Sequence, residues 1–249
     1  MRAVRILLIL AVVLGGIFIA ADRIAVHYAE SEAADRIRSS QDLSDTPEVS
    51  IKGFPFLTQV ADRRLERVDI SLAGITASAG GRPVRVTEVR AELSDVLIRG
   101  NFSSAVAARA DGSARISYAD LARSAPGGAT VSWAGADRAA KNQVKVTGPL
   151  VRVLEGAGIP VPRAVADALG DRSVTVHSEV ELTGGDTVRL RAESLPDLPV
   201  PGFDTELRRA LDYELRIERL PVGLKLDRAR VDQGGIEFSG TGRDVALVG

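Results

Sequence analysis

The feature that most restricts the fold of this chain is a hydrophobic repeat of two residues that recurs over much of its length. In the clearest case, 173-SVTVHSEVEL-182, four aliphatic residues lie on one side of an extended strand and polar residues lie on the other. Further runs with this pattern are 67-RVDISL-72, 84-VRVTEVRAELSDVLI-98, 187-TVRLRAE-193, 213-YELRIERL-220, 222-VGLKLDRARV-231 and 236-IEFSG-240. Alternation of this kind predicts β-strands with one buried face.

Glycine-containing pairs separate the runs and predict hairpin turns between antiparallel strands. These pairs are Gly80–Gly81, Asp111–Gly112, Gly184–Gly185 and Gly234–Gly235. Within residues 84–98 the apolar positions change parity near Thr87–Glu88, which predicts a β-bulge or bend. Short helices are predicted at 118–125, 162–170 and 204–211, and a proline-rich loop at 195–203. The predicted fold class is therefore α+β, with a long antiparallel sheet and few helices.

The N-terminus carries an uncharged, mostly apolar segment, 6-ILLILAVVLGGIFIAA-21, preceded by Arg2 and Arg5. Its helical length of ~24 Å is intermediate between a signal-peptide core and a full membrane span. Cleavage after Ala20 or Ala21 would place a large residue at the −3 position, which disfavours a signal-peptidase site. An uncleaved anchor is therefore favoured, and a cleaved signal peptide remains the alternative. The two arginines favour a cytoplasmic N-terminus and export of the remaining chain.

The chain divides into three segments on this basis. Residues 1–21 form the signal-anchor or signal peptide. Residues 22–40 form a membrane-proximal amphipathic helix, because apolar residues recur there at intervals of three or four positions. Pro47 ends the helical pattern, and residues 47–249 form a single β-rich domain.

Residue types that carry enzyme and metal chemistry are scarce or badly spaced. The chain has no cysteine, and it lacks the common nucleophile, phosphate-loop and zinc-protease motifs. His177 alternates with Glu179 and Glu181, but alternate residues of a strand lie ~7 Å apart and rarely converge on one ion. The net charge of −1 provides no field that would attract nucleic acid. We therefore predict no catalytic residue, metal ligand or cofactor, and no nucleic-acid partner.

The stretch 51-IKGFPFLTQ-59 uses two of only six phenylalanines in a chain with one tryptophan and three tyrosines. Gly53 permits unusual backbone geometry and Pro55 fixes its own φ, so the stretch is predicted to be a rigid corner. Three interpretations of Phe54 and Phe56 remain open. They could close the end of the hydrophobic core, they could form the mouth of a lipid cavity or a tip that dips into the membrane, or they could be exposed by chance.

Four stretches together carry a family resemblance. They are the hydrophobic N-terminus running into 22-DRIAVHYAE-30, 51-IKGFPFLTQ-59, 116-ISYADL-121 and 220-LPVGLKLDRARVDQGGIEFSGTGRDVAL-247. These stretches resemble the LmeA-like phospholipid-binding proteins of bacterial cell envelopes. The resemblance implies a TULIP-like fold, in which a long curved antiparallel sheet wraps around a helix. It also implies an exported, membrane-associated protein that binds phospholipids, including phosphoinositides, and some relatives are linked to maturation of lipoglycans such as lipomannan.

Residues from the second and fourth stretches form the predicted lipid-binding site. They are Lys52, Phe54, Pro55, Phe56, Leu57, Thr58, Gln59, Leu220 and Leu224. Many relatives have an aromatic residue where this chain has Val222, so no aromatic contact is expected there. Lys52, Thr58 and Gln59 are the candidate head-group ligands, because their polar groups could bind a phosphate or hydroxyl.

The predicted function is to house the acyl chains of a phospholipid in an apolar groove, close to the membrane that holds the anchor. The expected partners are phospholipid, including the phosphoinositide type, and the membrane itself. Two alternatives remain: an envelope scaffold or partner-binding module without a lipid cavity, and a lipid- or glycan-modifying enzyme.

Overall fold

Two antiparallel sheets and one long helix make up most of the protein. The computed structural model describes residues 2–40, 43–79, 82–100, 104–156, 160–193, 213–217 and 223–247. The helices are α1 (Arg2–Ser40), α2 (Phe56–Ala61), α3 (Tyr118–Ser124), α4 (Ala136–Ala139), α5 (Leu150–Gly156) and α6 (Arg163–Leu169). The strands are β1 (Glu48–Lys52), β2 (Arg64–Ala79), β3 (Arg82–Arg99), β4 (Ser104–Ser117), β5 (Thr130–Trp133), β6 (Gln143–Pro149), β7 (Ser173–Thr183), β8 (Thr187–Ala192), β9 (Tyr213–Arg216), β10 (Leu224–Val231) and β11 (Gly235–Leu247).

The strands form a large sheet and a small sheet. The large sheet has six strands in the order β1-β2-β3-β4-β11-β10, and the small sheet has five in the order β5-β6-β7-β8-β9. The chain builds the small sheet after β4 and then returns to pair β11 with β4. These described strands pair antiparallel, which confirms the predicted α+β class.

Helix α1 continues without a break from the apolar N-terminus into the folded domain. Residues 3–21 are all exposed, and Asp22 is the first buried residue. Beyond this point Val26 and Ala34 are buried against the large sheet, as their helical spacing predicts. Glu30 fixes the helix to the sheet edge, because its Oε1 accepts a hydrogen bond from the Ile51 N–H at 2.8 Å. The predicted amphipathic helix is therefore the helix on which the large sheet packs.

The sheet face that contacts α1, here called the inner face, changes parity along β2 and β3. The two strands pair on both sides of Gly74 and Thr87 but not at these two residues, and Gly74 has a φ of 70°. Apolar residues of the inner face include Leu72 and Val89 before this point, and buried Val86 follows it. This confirms the bend predicted near Thr87–Glu88.

The other turn predictions had mixed outcomes. Gly184–Gly185 lies between β7 and β8, and Gly234–Gly235 lies at the start of β11, so both mark hairpin turns as predicted. The turn at Asp111–Gly112 is wrong, because both residues lie inside β4 and pair with β3 and β11. The pair at 80–81, the loop at 195–203 and the helix at 204–211 lie outside the described residues.

The predicted helices at 118–125 and 162–170 correspond to α3 and α6, whereas α2, α4 and α5 were not predicted. The buried residues form three clusters. The first lies between α1, α2 and the large sheet, and the second lies between α5, α6 and the small sheet. The third joins the sheets, because Val144 and Val180 pack with Ile236 and Phe238. The candidate site described below lies on the large sheet and has one part at each end of it.

Candidate lipid-binding site

The rigid corner predicted at residues 51–59 contains helix α2, and a buried carboxylate of α1 holds its first turn. The Oδ1 atom of Asp22 accepts a hydrogen bond from the Leu57 N–H at 2.8 Å, and Oδ2 lies 2.7 Å from the Arg23 guanidinium. Burial raises the pKa of the Asp22 carboxyl, but the Leu57 N–H and Arg23 outweigh it, so the pKa lies below its ordinary value. A charged Asp22 thus joins α1 to α2 at the point where α1 leaves the domain.

The structure gives the two phenylalanines of the corner different environments. Phe56 is 5% exposed and packs in the first cluster, whereas Phe54 is 55% exposed. The guanidinium carbon of Arg23 lies 5.2 Å from the centre of the Phe54 ring, within the range of a cation–π contact. Phe56 therefore closes the core. Phe54 is exposed and lies beside Arg23, just after the apolar segment of α1 ends.

The polar residues of the corner hold its backbone together. Gln59 is 7% exposed; its Oε1 accepts a hydrogen bond from the Glu66 N–H at 2.8 Å, and its Nε2 donates to the Lys52 carbonyl at 3.3 Å. The Thr58 hydroxyl donates to the Pro55 carbonyl at 2.8 Å. Gln59 thus connects β1, α2 and β2. Both side chains are engaged by the protein, and their contact with a lipid head group stays a prediction.

The remaining predicted residues lie on two sides of the large sheet. Leu57 and Leu224 are half-buried and pack against the first cluster, which contains Phe56. The Lys52 ammonium lies 2.8 Å from the Ser50 hydroxyl and 3.8 Å from an Asp69 carboxylate oxygen. It lines a polar groove of about 520 Å³ on the outer face of the large sheet. Residue 220 lies outside the described residues.

A half-buried aliphatic band continues along the inner face beyond the part that α1 covers. Ile37 is the last α1 residue that packs in the first cluster. Past it lie residues of β2, β3 and β4 that are half-buried and belong to none of the three clusters of described residues, namely Leu72, Ile75, Val89, Ala91 and Ala114. We call these five residues the inner band. The strand alternation predicted an aliphatic sheet face. Where α1 stops packing on that face could not be predicted from the alternation and is seen only in the structure.

Small residues leave space beside the inner band. Ala91, Gly112 and Gly240 follow one another across β3, β4 and β11 in one row of the register. A Cβ atom at Gly112 would have only two described atoms within 4 Å, the backbone oxygens of Arg90 at 3.8 Å and Gly240 at 4.0 Å. Glycine is therefore not required at position 112 by a close backbone approach. At Gly240 it is required, because a Cβ atom there would lie 2.4 Å from the Lys225 oxygen.

A hydrogen-bonded network joins two of the sequence motifs at the other end of the sheet. The Tyr118 hydroxyl donates to the Asp232 carbonyl at 2.6 Å, and Arg115 bridges the carboxylates of Asp232 and Glu237. Burial, together with the charge of Asp232, raises the pKa of Tyr118 to about 12. The Asp120 carboxylate accepts hydrogen bonds from the Ser117 and Thr87 hydroxyls. These contacts fix α3 and the turn before β11 on the sheet.

The described residues of the site form an apolar inner face and a polar groove on the outer face. Among the described residues, no group of three or more His, Cys, Asp or Glu side chains could hold a metal ion. The sequence profile of the LmeA-like phospholipid-binding family matches residues 20–241. The chain belongs to this family. No curated protein and no solved structure matches the chain.

The LmeA-like family is a lipid-binding, non-catalytic family, so the chain has a lipid-binding fold. The matched region begins at residue 20, two residues before α1 makes its first buried contact. It therefore covers the part of α1 that packs on the large sheet and leaves out most of the exposed apolar segment. That segment lies in a helix that is long and apolar enough to cross a membrane, with a mean hydropathy of 2.7 in its most apolar window.

Proposed function

We propose that this protein is exported, stays anchored by α1, and binds a phospholipid whose acyl chains lie on the inner face of the large sheet. Two observations support the proposal: the family match and the inner band beyond Ile37. The second carries it, because half-buried aliphatic side chains lie beside Gly112, where no described side chain would come within 4 Å of a Cβ atom, and such a surface can be covered by an acyl chain. No catalytic role is proposed for any residue.

The free energy of moving acyl chains between a bilayer and an apolar protein surface is close to zero, as a protein that carries or presents lipid requires. Two palmitoyl-length chains contain about 30 CH₂ groups, and transferring them out of water is worth about 25 kcal/mol. Leaving a bilayer forfeits a similar amount, so the exchange between bilayer and protein is close to balance when the protein provides a dry apolar surface. The anchor in the same chain would keep the domain at a high effective concentration beside its donor membrane.

We propose that the rigid corner is a second lipid contact, which the packed part of α1 separates from the inner band. Phe54, Pro55, Phe56 and Leu57, with Leu220 and Leu224, are the proposed apolar residues at this contact, and Lys52, Thr58 and Gln59 are the proposed head-group ligands. A head group that binds Thr58 or Gln59 must displace the hydrogen bonds that these residues make to the backbone. The proposed lipid class is the phosphoinositide type, and the proposed pathway is maturation of envelope lipids or of lipomannan-type lipoglycans.

The test uses residues 22–249, because residues 3–21 are exposed and this fragment retains the clusters described above. The purified fragment is extracted with organic solvent, and phospholipid is quantified by mass spectrometry. We expect bound phospholipid, and we expect Ala91→Phe to reduce it by filling the space beside the inner band. The matched control is Ala73→Phe, which adds the same ring at an exposed position of the neighbouring strand β2. A lipid-free fragment that takes up no added phospholipid contradicts the proposal and favours the scaffold alternative.

A further inference from the structure

The large apolar side chains that remain exposed outside the N-terminal segment are gathered at one end of the domain. Among the described residues they are Ile24 and Tyr28, each 72% exposed, Phe54 at 55% and Leu97 at 41%. Ile24 and Tyr28 lie on α1 just after the apolar segment, and Phe54 contacts Arg23 beside them. Leu97 pairs with Arg64, which follows α2 by only a few residues. These four residues come from three separate parts of the sequence and lie at the end of the domain where the apolar segment of α1 begins, here called the base.

Arginines accompany these apolar residues. Arg23 and Arg64 are paired with Asp22 and Asp95, while the exposed residues Arg63 and Arg99 have no carboxylate partner among the described residues. Long cationic side chains reach toward phosphate groups while their stems lie on apolar surface. We call Ile24, Tyr28, Phe54 and Leu97, with these four arginines, the basal collar.

The position of the collar along α1 decides what it faces. The uncharged part of the exposed segment, residues 6–21, has a helical length of ~24 Å, which covers most of the ~30 Å hydrocarbon core of a bilayer. Ile24 and Tyr28 follow its end by ~4 Å and ~10 Å along the axis, which is the depth of the head-group region. Tyrosine, phenylalanine and arginine suit this region, where one part of a side chain is apolar and the other is polar.

We propose that the basal collar docks on the surface of the same bilayer that holds residues 3–21, so that the domain rests on the lipid head groups. The occupant is a phospholipid surface because the collar is continuous with the apolar segment of α1 and surrounds the point where that helix leaves the domain. Partly exposed aromatic and aliphatic side chains enter the head-group layer, and the arginines contact phosphate. This inference rests on the proposed membrane anchoring, but it does not depend on a lipid in the inner band.

The experiment places tryptophan at collar positions of the full chain and measures quenching by brominated lipid. The variants Phe54→Trp and Leu97→Trp are reconstituted in vesicles of phosphatidylcholine and phosphatidylglycerol in equal parts, with bromine near the head of the acyl chain. The control is Thr76→Trp, an exposed position roughly 40 Å further along β2. Each protein also retains Trp133, whose contribution is common to the three.

We expect both collar variants to be quenched several-fold more strongly than the Thr76→Trp control. If either Phe54→Trp or Leu97→Trp is quenched no more than the control, the collar does not rest on the bilayer and the inference is wrong. Circular dichroism of each variant identifies a folded chain, and Tyr28→Trp provides a further collar position if one variant is unfolded. The phospholipid content of the 22–249 fragment is measured separately. Loss of collar quenching with retained phospholipid would overturn the docking inference alone, and the reverse result would overturn the proposed function alone.

Discussion

The different burial of Phe54 and Phe56 predicts that two similar substitutions have very different costs. Phe56 is 5% exposed in the first cluster, and truncation of such a side chain to alanine costs about 3–5 kcal/mol. Phe54 is 55% exposed, so its truncation forfeits mainly the cation–π contact with Arg23, worth about 1 kcal/mol or less. In a domain of this size each kcal/mol shifts the Tm by about 2–4 °C. We expect Phe56→Ala to lower the Tm by about 10 °C and Phe54→Ala by less than about 4 °C.

The assay is thermal and urea unfolding of residues 22–249 carrying each substitution, followed by phospholipid quantification on the same samples. Urea midpoints at an unchanged m-value would show that the loss belongs to the folded state. Equal decreases in Tm for the two variants would refute the distinction between a core residue and a surface residue. A fall in phospholipid uptake for Phe54→Ala, at nearly unchanged Tm, would assign Phe54 to the lipid contact at the rigid corner.

Two further predictions concern buried polar groups. Gln59→Ala leaves the Glu66 N–H and the Lys52 carbonyl without their partner, so we expect a loss of about 1–3 kcal/mol in urea unfolding, against a smaller loss for the exposed Thr58→Ala. The Ser117 hydroxyl, aided by Thr87 and Arg123, holds the pKa of Asp120 below its ordinary value. Asp120 therefore contributes stability above its unfolded-state pKa of about 4, and this is lost as the pH falls through the lower folded-state pKa. The Tm difference between the native chain and Asp120→Asn should be largest at neutral pH and shrink at lower pH; a constant difference would contradict this assignment.

The strands and the face of α1 were predictable because they depend on local repeats. The alternation in 173–182 gives β7, in which Val176 and Val180 are buried, and the spacing of Val26 and Ala34 gives the packed side of α1. These signals need no information about distant residues. They also identify the α+β class, because no helix–strand alternation competes with them.

The features that could not be predicted from the sequence depend on contacts between residues far apart in the chain. The Leu57 N–H in the first turn of α2 donates a hydrogen bond to Asp22, which lies 35 residues earlier in the sequence, so no local pattern predicts this contact. The pairing of β11 with β4 gives Gly112 neighbours on both sides and keeps it within a strand, although Asp-Gly is a common turn pair. Phe56 is the first residue of α2 and packs in the cluster that α1 lines, whereas Phe54 precedes the helix, and this tertiary contact determines which of the two is buried.

Helix α1 has no break between its apolar segment and its packed segment, and this limits how far the folded domain can move relative to the apolar segment. A lipid carrier on a flexible linker samples a volume and can cross a gap to a second membrane. Here the apolar segment, residues 3–21, and the segment that packs on the large sheet, residues 22–40, belong to one continuous helix, with no break at residues 21–22 that could act as a hinge. With the proposed anchoring, this continuous helix would hold the domain in a fixed orientation beside one bilayer. Under that proposal, the domain would receive and release lipid only within its own length from one bilayer surface.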